Sequence, residues 1–140
     1  MYVCDLTRRA LPATGREAIG SPADVYRMLK RRLGRRQREH FLALLLDARN
    51  GVLGIETVSI GTLNAALVHP REVFRPAILQ CAAALLLAHN HPSGDPTPSE
   101  EDVAITRRLV SVGELHGIAV LDHVVVCADA YVSFRERKLL

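Results

Sequence analysis

The sequence predicts an α/β domain with a mixed β-sheet, because strand-like and helix-like hydrophobic patterns alternate along the chain. Apolar runs with the length and composition of buried strands occur at 41–46, 82–88 and 118–127. Segments with apolar residues at helical spacing lie between and before them, at 21–33, 69–81 and 99–116. A chain of 140 residues with 49% hydrophobic side chains can form one domain around a single core.

Composition excludes several protein classes. No apolar stretch reaches the roughly 20 residues that span a bilayer, and residues 1–10 are mixed and contain arginine, unlike a signal segment. The three cysteines are odd in number and far apart, which argues against a disulfide framework and against a Cys-x-x-Cys metal site. We therefore expect a cytoplasmic protein that is not associated with a membrane.

The first helix is predicted to begin at Ser21, with Ser21 as N-cap and Pro22 at the first helical position. Residues 1–20 show little periodicity and are assigned to an N-terminal extension, in which residues 2–4 could add a short edge strand. The domain itself is expected to cover residues 21–140.

A β-hairpin is predicted next. The apolar run 41–46 is followed by a turn containing Asn50-Gly51, a strong hairpin signal, and by a partner strand at 52–60. Residues 61–68 are expected to connect this strand to a helix that begins near His69-Pro70 and ends near Cys81. The side chains expected to face the core from that helix are Val73, Phe74, Ala77 and Ile78.

The most informative stretch follows the apolar run 82–88. His89 and His91 come at the end of this predicted strand, a loop with three prolines and a glycine follows, and Ser99 opens the next helix, with Asp102 three residues later. Two imidazoles and a carboxylate are a ligand set that a catalytic zinc uses when one position stays open for water. The alternative for Ser99 and Asp102 is an ordinary helix start, with Ser as N-cap and acids favoured by the helix dipole.

The spacing His89-x-His91-x7-Ser99-x2-Asp102 resembles the signature of the JAMM (JAB/MPN) metalloproteases. The surrounding residues resemble the bacterial RadC-type branch of that superfamily, in the motif AHNHPSGDPTPSEED and in the stretches 60–74, 121–126 and 131–140. The literal string His-Asn-His is not evidence for an HNH nuclease, whose named residues are dispersed along a ββα unit. The resemblance covers about residues 21–140.

The resemblance implies a three-layer α-β-α fold with a mixed sheet, similar to that of cytidine deaminases. It implies Zn²⁺ bound by His89, His91 and Asp102, and hydrolysis of a peptide or isopeptide bond in a peptide or protein substrate. A glutamate on an early strand activates the water in such enzymes, and Glu56 is the match. From the residues alone Glu56 would face solvent, and Glu72 is the competing candidate.

Two further residues have open roles. The hydroxyl of Ser99 could help to hold the developing oxyanion. His123 could be a fourth ligand, a substrate contact or a structural histidine of its strand, and the structural role is favoured because the family ligand set is complete without it.

A basic stretch at 30–38 suggests a second function class. It could bind nucleic acid, as expected of a DNA-repair-associated accessory protein, or it could be a solvated helix end favoured by the dipole. The net charge is only +3 and aromatic residues are few, so we expect a solvated surface away from the metal site. RadC-type proteins commonly carry a helix-hairpin-helix module ahead of this domain, for which residues 1–20 offer no room. A non-catalytic MPN scaffold is a third possibility, and a zinc deaminase lacks support because no Pro-Cys-x-x-Cys element is present.

Overall fold

Three helices and five strands make up the computed structural model, which describes residues 16–61 and 68–140. In chain order they are α1 (Pro22–Leu33), β1 (His40–Leu46), β2 (Val52–Ile60), α2 (Pro70–Leu79), β3 (Ala84–Asn90), α3 (Glu100–His116), β4 (Ala119–Val126) and β5 (Tyr131–Ser133). Among the described helices, none is long and apolar enough to cross a membrane.

The five strands form one mixed sheet in the order β2-β1-β3-β4-β5. β1 pairs antiparallel with both β2 and β3, β3 and β4 are parallel, and β5 returns antiparallel to β4. The parallel pair requires a crossover connection, which α3 supplies. β1, β3 and β4 are the inner strands. β1 and β3 are buried along nearly their whole length, and this explains why both appear in the sequence as continuous apolar runs without alternation.

The helices cover both faces of the sheet and create two cores. On one face α1 packs through Val25, Leu29 and Leu33. On the other face, α2 contributes Val73, Phe74 and Ala77, and α3 contributes Ile105 and Leu109. The predicted α/β class with a mixed sheet and three α-β-α layers is confirmed.

Local signals fix most of the predicted ends. Ser21 forms a capping box with Asp24, and Pro22 is the first residue of α1. Asn50 has a φ of 60° in the turn between β1 and β2, a conformation that asparagine tolerates better than most residues. Gly117 ends α3 at a φ of 68°, as a left-handed C-cap.

The expectation that Ile78 faces the core is wrong, since the side chain is 52% exposed. Val73, Phe74 and Ala77 already occupy the buried stripe of α2 at helical spacing, and Ile78 lies about 100° beyond Ala77 around the helix.

Two predicted segments fall partly outside the described residues. They are residues 1–15 of the N-terminal extension, including the edge strand at 2–4, and residues 62–67 of the connection after β2. The last residues of the extension are described, and they dock on the hairpin: Ala18 forms a bridge with Gly51, and Ile19 donates to the Asn50 carbonyl at 2.9 Å.

Candidate metal centre

The candidate site lies where the carboxyl end of β3 meets the first turn of α3. His89 belongs to β3, and His91 follows the strand directly. The loop 92–99 then turns back, and Ser99 caps α3: its hydroxyl accepts from the Asp102 amide at 3.1 Å, while its own amide donates to Asp102 Oδ2 at 2.8 Å. This reciprocal cap fixes the orientation of the Asp102 carboxylate toward the strand end.

The three predicted ligands converge. His89 Nε2 lies 2.9 Å from His91 Nε2 and 3.3 Å from Asp102 Oδ1, and His91 Nε2 lies 3.1 Å from Asp102 Oδ2. One potential ligand atom from each residue lies within 4.8 Å of the others. His89 is fully buried and the Asp102 side chain is 3% exposed, whereas 13% of the His91 side chain reaches solvent. The group therefore has a buried side and an open side.

The chemistry of the donor set fits a cation. His91 Nδ1 lies 2.8 Å from the Asp95 carbonyl oxygen, which can only accept a hydrogen bond, so His91 Nδ1 carries a proton and Nε2 of the neutral ring presents a lone pair. That lone pair points at a carboxylate and at a second imidazole nitrogen. Such a set of acceptors, closely packed and mostly buried, is stabilised only by a proton or a metal ion between its members.

Charge interactions within the group are strong. Burial alone would raise the pKa of Asp102, but hydrogen bonds from His89 and His91 outweigh it and hold the pKa well below the usual range. The hydrogen bond to Asp102 raises the pKa of His91. A proton shared with the Asp102 carboxylate can therefore stabilise the group, and a metal ion can take the place of that proton.

The chain matches the RadC-like JAB domain family over residues 19–139. It belongs to that family. A UPF0758 protein of Desulforamulus reducens is 50% identical over 138 residues, which are 97% of this chain and 61% of the relative. A UPF0758 protein of Symbiobacterium thermophilum is 57% identical over 120 residues, or 86% of this chain and 51% of the relative. The chain thus spans little more than half the length of these relatives.

Sequence reasoning undervalued His123 of this RadC-like JAB domain. The ring is fully buried, and its Nε2 lies 2.8 Å from His89 Nδ1, on the side of His89 away from Asp102. Burial lowers the pKa of His123 well below its ordinary value, so the ring is neutral. The structural role favoured for His123 stays a prediction, and the ring contacts the ligand candidate His89 directly. No local motif signals this contact, because it depends on the pairing of β3 with β4.

Glu56 is not part of the cluster formed by the three ligand candidates, yet it lies on the same face of the sheet as His89. Ala43 of β1 is opposite both Glu56 and Leu87, and Leu87 precedes His89 by two residues. At ideal strand spacing, this register puts the Cα atoms of Glu56 and His89 about 12 Å apart, so Glu56 lies across β1 from the group of ligand candidates.

Glu72, the competing candidate, lines the same cleft as Glu56. This cleft, of about 280 Å³, lies between β2 and α2, and Arg75 is also on its wall. The catalytic roles of Glu56 and Ser99 remain predictions.

The basic stretch is exposed, and its last residues are tied through their backbone to the end of β3. Asn90, between the two histidines, donates from Nδ2 to the Arg38 carbonyl at 3.0 Å and the Arg36 carbonyl at 3.4 Å, and its Oδ1 accepts from the His40 amide at 2.7 Å. Because side chains alternate along a strand, Asn90 points to the face of the sheet opposite His89, so these backbone contacts do not bring the arginine side chains to the metal site. The expectation of a solvated surface away from that site stays a prediction. The loop is tied to the strand that carries the ligands.

Proposed function

We propose that this RadC-like JAB domain is a cytoplasmic, zinc-dependent hydrolase of peptide or isopeptide bonds. The observation that carries the proposal is the convergence of His89 Nε2, His91 Nε2 and an Asp102 carboxylate oxygen at 2.9–3.3 Å, with one side open. Three nitrogen and oxygen ligands with an open position are the arrangement of catalytic rather than structural zinc. A non-catalytic scaffold has no need of this open, complete set.

The metal would be held by His89, His91 and Asp102. When bound, zinc supplies a Lewis acid for the carbonyl and lowers the pKa of water toward about 7. The protein's own residues perform the proton transfers and the positioning. Glu56, facing the same side of the sheet, takes a proton from the attacking water and later delivers it to the leaving amine as the C–N bond breaks.

Ser99 has a position suited to its proposed role. Its oxygen accepts a hydrogen bond from the Asp102 amide, and this leaves the hydroxyl hydrogen available for donation to a substrate oxygen. The residue is exposed beside the group of ligands, at the mouth of the site. The substrate is proposed as a class only, a peptide or protein with an accessible amide bond.

The experiment is hydrolysis of a peptide library, and of isopeptide-linked peptides, by the purified chain in three states: zinc-loaded, stripped by a chelator, and reloaded. We expect products that appear with zinc, disappear on stripping and return on reloading, and that are absent with His91→Ala. A protein that carries one zinc per chain and cleaves neither type of bond would refute the proposal.

A second candidate is nucleic-acid binding, favoured by the exposure of all five arginines in the segment 31–38. Arginines at 31, 32, 35, 36 and 38 would contact phosphates. Measurement of DNA affinity against salt tests it, since phosphate contacts give a steep linear decrease of log K with log salt. Affinity that does not change with salt, or no measurable binding, would reject this candidate.

A further inference from the structure

Behind the proposed ligands, a chain of three hydrogen bonds links one ligand to the backbone of another. His89 Nδ1 lies 2.8 Å from His123 Nε2, and His123 Nδ1 lies 2.6 Å from the Thr106 hydroxyl. The Thr106 hydroxyl donates to the Asp102 carbonyl oxygen at 2.6 Å. His89, Thr106 and His123 are fully buried and Asp102 is 2% exposed, so water has little access to these contacts.

The proton positions follow from one end of this chain. Thr106 has a single hydroxyl hydrogen, and the Asp102 carbonyl can only accept, so that hydrogen is committed to Asp102. The Thr106 oxygen must then accept from His123, which places a proton on His123 Nδ1. His123 Nε2 of the neutral ring is left as an acceptor, and the proton in the remaining contact belongs to His89 Nδ1.

The ring of His123 is held in this orientation by packing. Phe134 stacks on it with ring centroids 4.5 Å apart and an angle of 17° between the planes, and Phe41 meets it edge-on at 5.4 Å. An alternative in which His123 is doubly protonated would bury a cation whose two ring nitrogens face an imidazole and a hydroxyl rather than a carboxylate.

We propose that Thr106 and His123 are positioning residues that hold His89 with its Nδ1 protonated and its Nε2 lone pair facing the metal site. The inference rests on the proposed metal site and deepens it. The same chain of bonds also links β3 to α3, because it begins at the His89 ring and ends on the backbone of Asp102. The ring of one ligand is thereby coupled to the position of another.

Thr106→Val is the sharpest test, because valine has the shape of threonine and lacks the hydroxyl. His123 Nδ1–H would then face a methyl group, and the neutral ring is expected to shift its proton to Nε2, where it donates to His89 Nδ1. When His89 Nε2 binds zinc, the proton of His89 must be on Nδ1, so the proton of His123 must return to its Nδ1. That buried N–H would then face the valine methyl group without an acceptor. We expect a zinc affinity weaker by about 10- to 100-fold, the usual effect of losing a partner that orients a metal ligand.

Two measurements are made on the folded, full chain. Competition with a chelator gives the zinc affinity of the wild type, Thr106→Val and the conservative Thr106→Ser, which keeps the hydroxyl and should restore affinity. The ¹⁵N chemical shifts of the His123 ring in metal-free protein at about pH 8.5, above an ordinary histidine pKa, give the tautomer. We expect Nδ1–H in the wild type and Nε2–H in Thr106→Val.

Ser133→Ala is the matched control, since this buried hydroxyl donates at 2.6 Å to Asp122 and not to the rings. It should lower stability without changing zinc affinity. Wild-type affinity in Thr106→Val, or Nε2–H on His123 in the wild type, would overturn the inference. A wild-type chain that binds zinc and shows the expected tautomers but hydrolyses no amide would refute the proposed function alone.

Discussion

Replacement of Glu56 by glutamine separates an enzyme from a zinc-stabilised scaffold. Glutamine keeps the shape of the side chain and removes its ability to take a proton. Glu56 lies partly exposed on β2 and outside the group of His89, His91 and Asp102, so the substitution should leave that group intact. Zinc content should not change, and stability should change by no more than about 0.5 kcal/mol, as at most partly exposed sites.

The rate of hydrolysis should decrease by about 10²- to 10⁴-fold, the usual contribution of a positioned general base, which corresponds to about 2.7–5.4 kcal/mol in activation free energy. The assay is kcat/KM on the best peptide of the library, with zinc content and Tm measured on the same sample. Glu72→Gln is the matched control, because Glu72 lines the same cleft, and it should retain most of the activity. Loss of zinc in Glu56→Gln would show that Glu56 is a ligand. Full activity with zinc retained would mean that the base is another residue, and equal loss in both variants would show that the cleft itself is needed.

Three further predictions concern the ligands and the basic stretch. Asp102→Asn should lose zinc affinity and activity together, because a charged ligand oxygen is replaced by a neutral one. The loss of affinity should exceed the roughly 10- to 100-fold that loss of an orienting partner costs. Unchanged zinc affinity in a chelator competition would contradict the assignment. Because Asp102 raises the pKa of His91, zinc must displace a proton there, and the affinity should fall about tenfold for each pH unit below that raised pKa, whereas a flat profile between pH 5.5 and 8.5 would refute this. A further variant replaces four exposed arginines by glutamine: Arg31, Arg32, Arg35 and Arg36. It should leave zinc content and hydrolysis of a small neutral peptide unchanged. Loss of a salt-sensitive DNA complex in that variant would support the nucleic-acid candidate.

The parts of the site that follow from local spacing were predictable from the sequence. His89 and His91 are separated by one residue at a strand end, and the Ser99-x-x-Asp102 pattern predicts the helix cap that orients Asp102. The central strands were equally predictable, because residues buried on both faces of a sheet leave a continuous apolar run.

The contacts around the ligands were not predictable, because each depends on elements far apart in the chain. His123 reaches His89 only through the parallel register of β3 and β4, and Thr106 meets His123 only through the rotation of α3 on the sheet. Asn90 binds backbone carbonyls more than 50 residues earlier, which no periodicity reveals. Glu56 could be assigned to a face only from its pairing with Ala43, since the pairing of β2 with β1 has a register irregularity near each end.

The most direct test of the metal centre is a crystal structure of the zinc-loaded chain with anomalous diffraction recorded at the zinc edge. We predict one strong peak per chain, about 2.0–2.2 Å from His89 Nε2, His91 Nε2 and an Asp102 carboxylate oxygen, and no peak at that position in His91→Ala crystals soaked in the same way. A peak elsewhere on the chain, or three ligand candidates that contact one another with no zinc between them, would contradict the account.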